Sequence, residues 1–311
     1  MKMYANTMLS CAARDAIGAA LAPLLDPFGC APTWAAASRL IRVLRRTFHA
    51  YLFHHSIKEI TMKNYFRLAT MTAALAITVA ASAAPSSTTS VKNVVLVHGA
   101  FADGSGWEAV TRILERDGFK VSVAQPPETS LEDDVAATNR TIDAMGGAVV
   151  LVGHSYGGVI ITTAGNNEHV KSLVYVAAFQ PDTGESLGSL SAGKPPASAG
   201  PKPSADGFLY LDLATFHEDF CADLPGPRAD FMAQSQVGLA IKAAGAATTV
   251  PAWKAKPSFA IVATHDRAIN PDLERSMYKR AGSTVTELAS SHVAYISHPA
   301  EVAAVIERAA R

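Results

Sequence analysis

The stretch Ala148 to Gly158 constrains this chain more than any other. Ala148-Val149-Val150-Leu151-Val152 is a continuous apolar run with no polar alternation, the pattern of a strand buried on both faces. It breaks directly into Gly153-His154-Ser155-Tyr156-Gly157-Gly158, after which a helix-compatible stretch runs to about Gly165. So sharp a turn from a two-face-buried strand into a helix belongs to a parallel sheet with helices on both sides.

The rest of the body repeats this alternation. Val94 to Val97, Phe119 to Ala124, Ser172 to Ala177, Phe259 to Ala263 and Thr284 to Leu288 read as strands. Helices are expected over Trp107 to Arg116, from Ser130 as N-cap to Met145, from Asn270 as N-cap with Pro271 at the first position to about Arg280, and from Pro299 onward. The helix after Ser130 places Leu131, Val135, Thr138, Ile142 and Met145 on one face at three- and four-residue steps. The expected class is α/β, a mostly parallel doubly wound sheet. Between about Gln180 and Lys256 the pattern fails. Pro181 to Gly207 is rich in Gly, Pro, Ser and Ala, and Leu209 to Val250 reads as short helices without a clear strand. That segment is expected to be an insertion forming a lid.

Composition narrows the class. With 49% apolar residues the chain is not disordered, and 3 Cys exclude a disulfide scaffold. Its net charge of zero conceals a division: residues 1–84 hold 9 of the 27 basic and 3 of the 27 acidic side chains, leaving an acidic body. An acidic body without a basic patch argues against nucleic acid as a partner. Residues 62–83 read as a secretory signal peptide. Lys63 and Arg67 precede thirteen apolar-rich residues, Leu68 to Ala80, and Ala81-Ser82-Ala83 supplies the small residues for cleavage after Ala83. The apolar stretch is short of the ~20 residues a membrane span needs, so no stable insertion is expected after cleavage. Because such a peptide belongs at an N-terminus, residues 1–61 are expected to be an upstream extension, with translation starting at Met62. Residues 84–90 are then a linker, residues 91–311 the folded domain with its lid at about 180–256, and the location secreted or periplasmic. Only Cys221 remains after cleavage, and it reads as a structural thiol.

The chemistry is expected at Ser155. Glycine at 153 and 157 removes the Cβ atoms that would collide with the adjoining strand and helix, and the serine hydroxyl then projects at the C-terminal edge of the sheet. A serine needs a base and a group that orients the base. Asp266 follows the strand Phe259 to Ala263 and His292 follows Thr284 to Leu288, both beyond strand C-termini at the same edge. His265 and His298 are weaker choices by position, and Asp272 suits a first helical turn without any catalytic role. The oxyanion donors are expected to be the Tyr156 amide and the Ala100 amide, with Phe101 the alternative; His98 reads as a structural residue beneath that loop. No metal-ligand spacing is present in the sequence. The apolar lid residues Leu209, Leu211, Leu213, Phe216, Phe220, Phe231, Met232 and Trp253 are expected to line a closed pocket for small esters.

These segments resemble the α/β-hydrolase superfamily, in particular the branch of plant methyl-salicylate-type esterases and hydroxynitrile lyases. The resemblance rests on Val94 to Ala100 through Trp107, Leu151 to Gly158, Val176 to Phe179 with Pro181-Asp182, Thr264 to Arg267, and Ser291-His292. It implies the same triad, Ser155, Asp266 and His292, the same donors, Ala100 and Tyr156, and no cofactor. The lyases of this branch carry Lys directly after the catalytic histidine and Thr in place of Gly99. Here Val293 follows His292, so cyanohydrin cleavage lacks its cation and hydrolysis of small carboxylic esters is favoured. Amide or lactone hydrolysis, perhydrolysis, and ligand binding without turnover remain alternatives.

Overall fold

The computed structural model describes residues 90–311; the expected signal peptide, the upstream extension and all but the last residue of the linker lie outside the described residues. Six parallel strands form the main sheet: β1 (Asn93–Val97), β2 (Lys120–Ala124), β3 (Val149–Ser155), β4 (Val170–Ala178), and two later strands that complete the order β2-β1-β3-β4-β8-β9. Those are β8 (Ser258–Ala263) and β9 (Thr284–Leu288). Between them in sequence run β5 (Lys202–Pro203), β6 (Phe208–Tyr210) and β7 (Leu239–Ala240).

The unbroken apolar runs are explained by the covering of both faces. Along β1, Val95 and Val97 enter one buried cluster while Val94 and Leu96 enter the other. In β3, Val149 and Leu151 divide from Val150 and Val152 in the same way. Helices α1 (Glu108–Arg116), α2 (Leu131–Ala144) and α3 (Gly157–Ala164) supply the early cover. The Ser130 hydroxyl caps α2 by accepting from the Asp133 amide at 3.1 Å, as the sequence suggests.

The chain leaves the sheet after β4 and returns at β8. The intervening segment holds α4 (Leu187–Gly193), α5 (Phe216–Phe220), α6 (Gly226–Gln234) and α7 (Ile241–Gly245). It is not purely helical. β5, β6 and β7 form a small antiparallel sheet, which the sequence reading missed because two- and three-residue strands carry no measurable alternation. The expected pocket-lining set is also corrected. Phe216, Phe220 and Leu211 are buried, but Leu213 is 62% and Phe231 70% exposed, and Phe231 lines an open groove rather than a closed pocket.

Beyond the insertion lie α8 (Pro271–Ala281), α9 (Ala294–Ser297) and α10 (Pro299–Ala309). Asn270 caps α8 by accepting from the Asp272 amide at 3.0 Å. Among the described residues, no helix is long and apolar enough to cross a membrane.

Candidate active site

β3 ends at Ser155, whose φ of 53° is left-handed, a conformation that costs a non-glycine residue about 1–3 kcal/mol. The neighbouring glycines make the turn possible. A Cβ on Gly153 would lie 2.5 Å from the Gly157 carbonyl oxygen, and one on Gly157 would lie 2.7 Å from that of His98. The elbow is therefore wedged between its own helix and the end of β1, so the strain is held by packing. Gly99 serves a second close approach: a Cβ there would lie 2.6 Å from Ser155 Cβ, which sets the loop after β1 directly against the serine.

The acid and the histidine meet. His292 Nδ1 donates to Asp266 Oδ2 at 2.6 Å, and both side chains are buried. Asp266 Oδ1 accepts from the Ala268 and Ile269 amides at 2.7 and 2.9 Å, which orients the carboxylate toward the ring. With its proton on Nδ1, the imidazole leaves Nε2 as the basic nitrogen. The rival residues stand elsewhere: Asp272 pairs with Arg275 at 3.0 Å in the first turn of α8, His265 is exposed, and His298 bonds the Ser297 hydroxyl at 2.9 Å.

Several neighbours of the site were not legible in the sequence. His154, at the elbow, donates from Nε2 to the His292 carbonyl at 3.1 Å, and the two rings lie 4.6 Å apart. This ties the histidine loop to the serine turn. Burial and the neighbouring His292 push the His154 imidazole well down, so it is neutral. Glu274 lies beneath Asp266; burial first, then the Asp266 charge, push its carboxyl well up. Nothing in the spacing of α8 distinguishes Glu274 from a surface acid, because its burial depends on β8 beside it.

The insertion fastens the loops that carry Asp266 and His292. Arg267, next to Asp266, pairs with Asp219 at 3.1 Å and with Glu218 at 3.1 Å. Asp223 accepts from the Ser291 amide at 2.9 Å and also from the Ser291 hydroxyl. Although burial opposes it, these bonds hold the Asp223 carboxyl below its usual range. Phe220 lies edge-on to the His292 ring, centroids 5.0 Å apart. The site is closed, with Ser155 only 7% exposed. A groove of about 220 Å³ lined by Phe101, Arg228, Met232 and Tyr295 runs alongside the loop after β1, and neither Ser155 nor His292 lines it.

The expected oxyanion donors stand differently from their alternative. The Phe101 amide already donates to the Val237 carbonyl at 2.9 Å, which excludes it as a free donor. Among the described residues, the Ala100 and Tyr156 amides have no protein acceptor. No group of three or more metal-ligating side chains is found among the described residues.

This fold and elbow define an α/β hydrolase, and the chain belongs to the alpha/beta hydrolase family, whose model matches residues 94–305. Among curated relatives, it is 29% identical to a probable hydrolase of Phoma sp. over 42% of this chain and 59% of that one. It is 33% identical to a carbendazim hydrolyzing esterase of Nocardioides sp. over 32% of this chain and 46% of the relative. The chain thus spans about half the length of those two relatives. A pyrethroid hydrolase of Sphingobium wenxiniae is 27% identical over 70% of this chain and 86% of its own. Among solved structures, an extracellular α/β-hydrolase from a Paenibacillus species, described as sharing homology with tobacco salicylic acid binding protein 2, superposes with a TM-score of 0.60. It is 18% identical, over 70% of this chain and 99% of that one. The resemblance to the salicylate-esterase branch is thereby met in the fold.

Proposed function

We propose that this protein is a serine hydrolase that cleaves small carboxylic esters through an acyl-enzyme. Ser155 Oγ attacks the ester carbonyl carbon while His292 Nε2 takes the hydroxyl proton. The oxyanion that forms is met by the Ala100 and Tyr156 amides. When the tetrahedral intermediate collapses, the bond to the alcohol oxygen breaks and His292 returns the proton to that oxygen. Water then attacks the acyl carbon, its proton going to His292, and the acid leaves as Ser155 recovers its hydrogen. Asp266 holds the ring in the tautomer this sequence requires.

The observation that carries the reading is the 2.6 Å bond from His292 to Asp266, made on a histidine whose own carbonyl is held by the residue preceding Ser155. Relatives named esterase and hydrolase support ester chemistry over other uses of the same fold. Ser155→Ala is the test. The variant should keep its fold, lose hydrolysis of p-nitrophenyl acetate by several orders of magnitude, and lose labelling by a fluorophosphonate. Retention of more than a few per cent of the activity refutes Ser155 as nucleophile. Labelling of the native protein without turnover of any ester, thioester or amide would favour a binding role.

We further infer export, from residues 62–83 and their expected cleavage after Ala83. N-terminal sequencing of the mature protein tests this, and a mature chain beginning upstream of Met62 refutes it.

A further inference from the structure

We propose that a buried polar chain, His98–Glu128–Asp134–Tyr156, positions the two backbone donors of the oxyanion hole and so governs turnover without touching substrate. The proposal rests on reading Ala100 and Tyr156 as those donors. It assigns a task to four side chains that the hydrolytic steps themselves do not use.

The first donor is held from behind. The peptide that carries the Ala100 N–H carries the Gly99 carbonyl at its other end, so the two groups turn together. His98 Nδ1 donates to that carbonyl at 3.1 Å. Swinging the Ala100 N–H away from the site breaks this bond, and donation to the carbonyl polarises the N–H at the far end of the same peptide. The same His98 nitrogen lies 3.4 Å from Glu128 Oε1.

The second donor is held through its side chain. The Tyr156 phenol donates to Asp134 Oδ2 at 2.7 Å. Asp134 Oδ1 in turn accepts from the Glu128 amide at 2.6 Å. Burial first, then the Asp134 charge, raise the Tyr156 phenol so far that it stays protonated and is always the donor. Glu128 is thus the junction. Its backbone amide reaches Asp134, which accepts from Tyr156, and its carboxyl faces His98. The three segments so joined follow β2, β1 and β3, neighbours in the sheet whose ends surround the serine.

The local cost points to function rather than to packing. Glu128 has a left-handed φ of 58°, is wholly buried, and neither carboxyl oxygen has a hydrogen-bond partner. Burial, with Asp134 adding to it, pushes this carboxyl well up, and burial pushes the His98 imidazole down. Burial thus disfavours the charged form of both groups. Apolar residues at 128 and 134 with phenylalanine at 156 would fill the same volume without desolvating three polar groups. What only the polar chain supplies is direction at the two amides. Strain and incomplete pairing of this kind gather where geometry matters to the chemistry.

The test uses Tyr156→Phe, which removes one oxygen, and Asp134→Asn, which keeps the volume; neither alters a backbone donor. The readouts are kcat and KM for p-nitrophenyl acetate, Ki for a trifluoromethyl ketone whose adduct with Ser155 carries an oxyanion, and the rate of fluorophosphonate labelling. Each variant should lose about ten- to a hundredfold in kcat, less than the loss of a whole donor, with KM within about twofold. The ketone should weaken, and labelling slow, by the same factor. The double variant should be no worse than the poorer single one, because both cut one chain. Glu128→Gln, which imitates the neutral carboxyl, should stay within about threefold of the native enzyme at pH 7, whereas Glu128→Ala should fall with the others. Folded variants with unchanged kcat, Ki and labelling rate overturn the proposal, as does a loss in KM alone. A native protein that the fluorophosphonate does not label overturns the functional reading instead. If Asp134→Asn does not fold, Tyr156→Phe decides.

Discussion

Replacing Asp266 by Asn changes one atom and tests how the base is oriented. The native carboxylate is fixed by three donors, the Ala268 and Ile269 amides on Oδ1 and the His292 ring on Oδ2. Asparagine has one oxygen and one NH₂ group to offer these three. If its oxygen keeps the two backbone amides, its NH₂ faces His292 Nδ1, which must then accept, and the ring proton moves to Nε2. If instead the oxygen turns to His292, the NH₂ opposes two backbone N–H groups at under 3 Å. That second arrangement forfeits two bonds worth about 0.5–1.5 kcal/mol each to a neutral amide oxygen and sets donor against donor, so the first prevails. The base is then blocked by its own proton. In a serine protease whose corresponding residue was so changed, the loss was about 10⁴ in kcat, equivalent to roughly 5 kcal/mol. We expect a similar loss in p-nitrophenyl butyrate hydrolysis, with circular dichroism unchanged. A folded Asp266→Asn protein within tenfold of native activity refutes the assignment.

Three further outcomes follow from the geometry. Gly99→Ala puts a Cβ 2.6 Å from Ser155 Cβ and 2.7 Å from the His154 carbonyl oxygen, so the loop must retreat from the serine; kcat should fall about a hundredfold or more, and an unchanged kcat in steady-state assays would show that the loop does not flank the nucleophile. A carboxyl raised by folding, as Glu128 is, contributes stability that is present below its usual pKa and lost as pH rises through the raised one. Thermal melts should therefore show native protein losing ground to Glu128→Gln as pH rises above the usual carboxylate range, by up to about 1.4 kcal/mol per pH unit, and parallel curves would refute the burial argument. With Phe220 against the His292 ring and Ser155 nearly sealed, kcat/KM should decline from acetate and butyrate esters toward palmitate with no jump at the micelle concentration; interfacial activation would show that the insertion opens onto a lipid surface.

What sequence alone determined is the frame and the candidate residues Ser155, Asp266 and His292, and the reason is periodicity and chain order. Apolar runs such as Val94 to Val97 admit only a strand covered on both faces, and glycine on either side of Ser155 admits only a tight elbow. Asp266 and His292 are candidates because they lie just past strand ends, and parallel strands deliver their C-termini to one edge. The tertiary structure alone decided what each polar residue faces. Asp134 stands three residues after Leu131 and four before Thr138, on the buried stripe of α2, and that position is the one signal by which it was available in advance. Its partner, Tyr156, is 22 residues away, and no spacing along the chain encodes a bond between a helix and the turn after β3. Likewise Leu213 and Phe231 are as apolar as Phe216 and Phe220, yet the first pair faces solvent and the second is buried in the core. Hydrophobicity says that a side chain gains by leaving water, not whether a neighbour is present to receive it. In a segment without helical or strand period, only the packing of the insertion on the sheet supplies that neighbour.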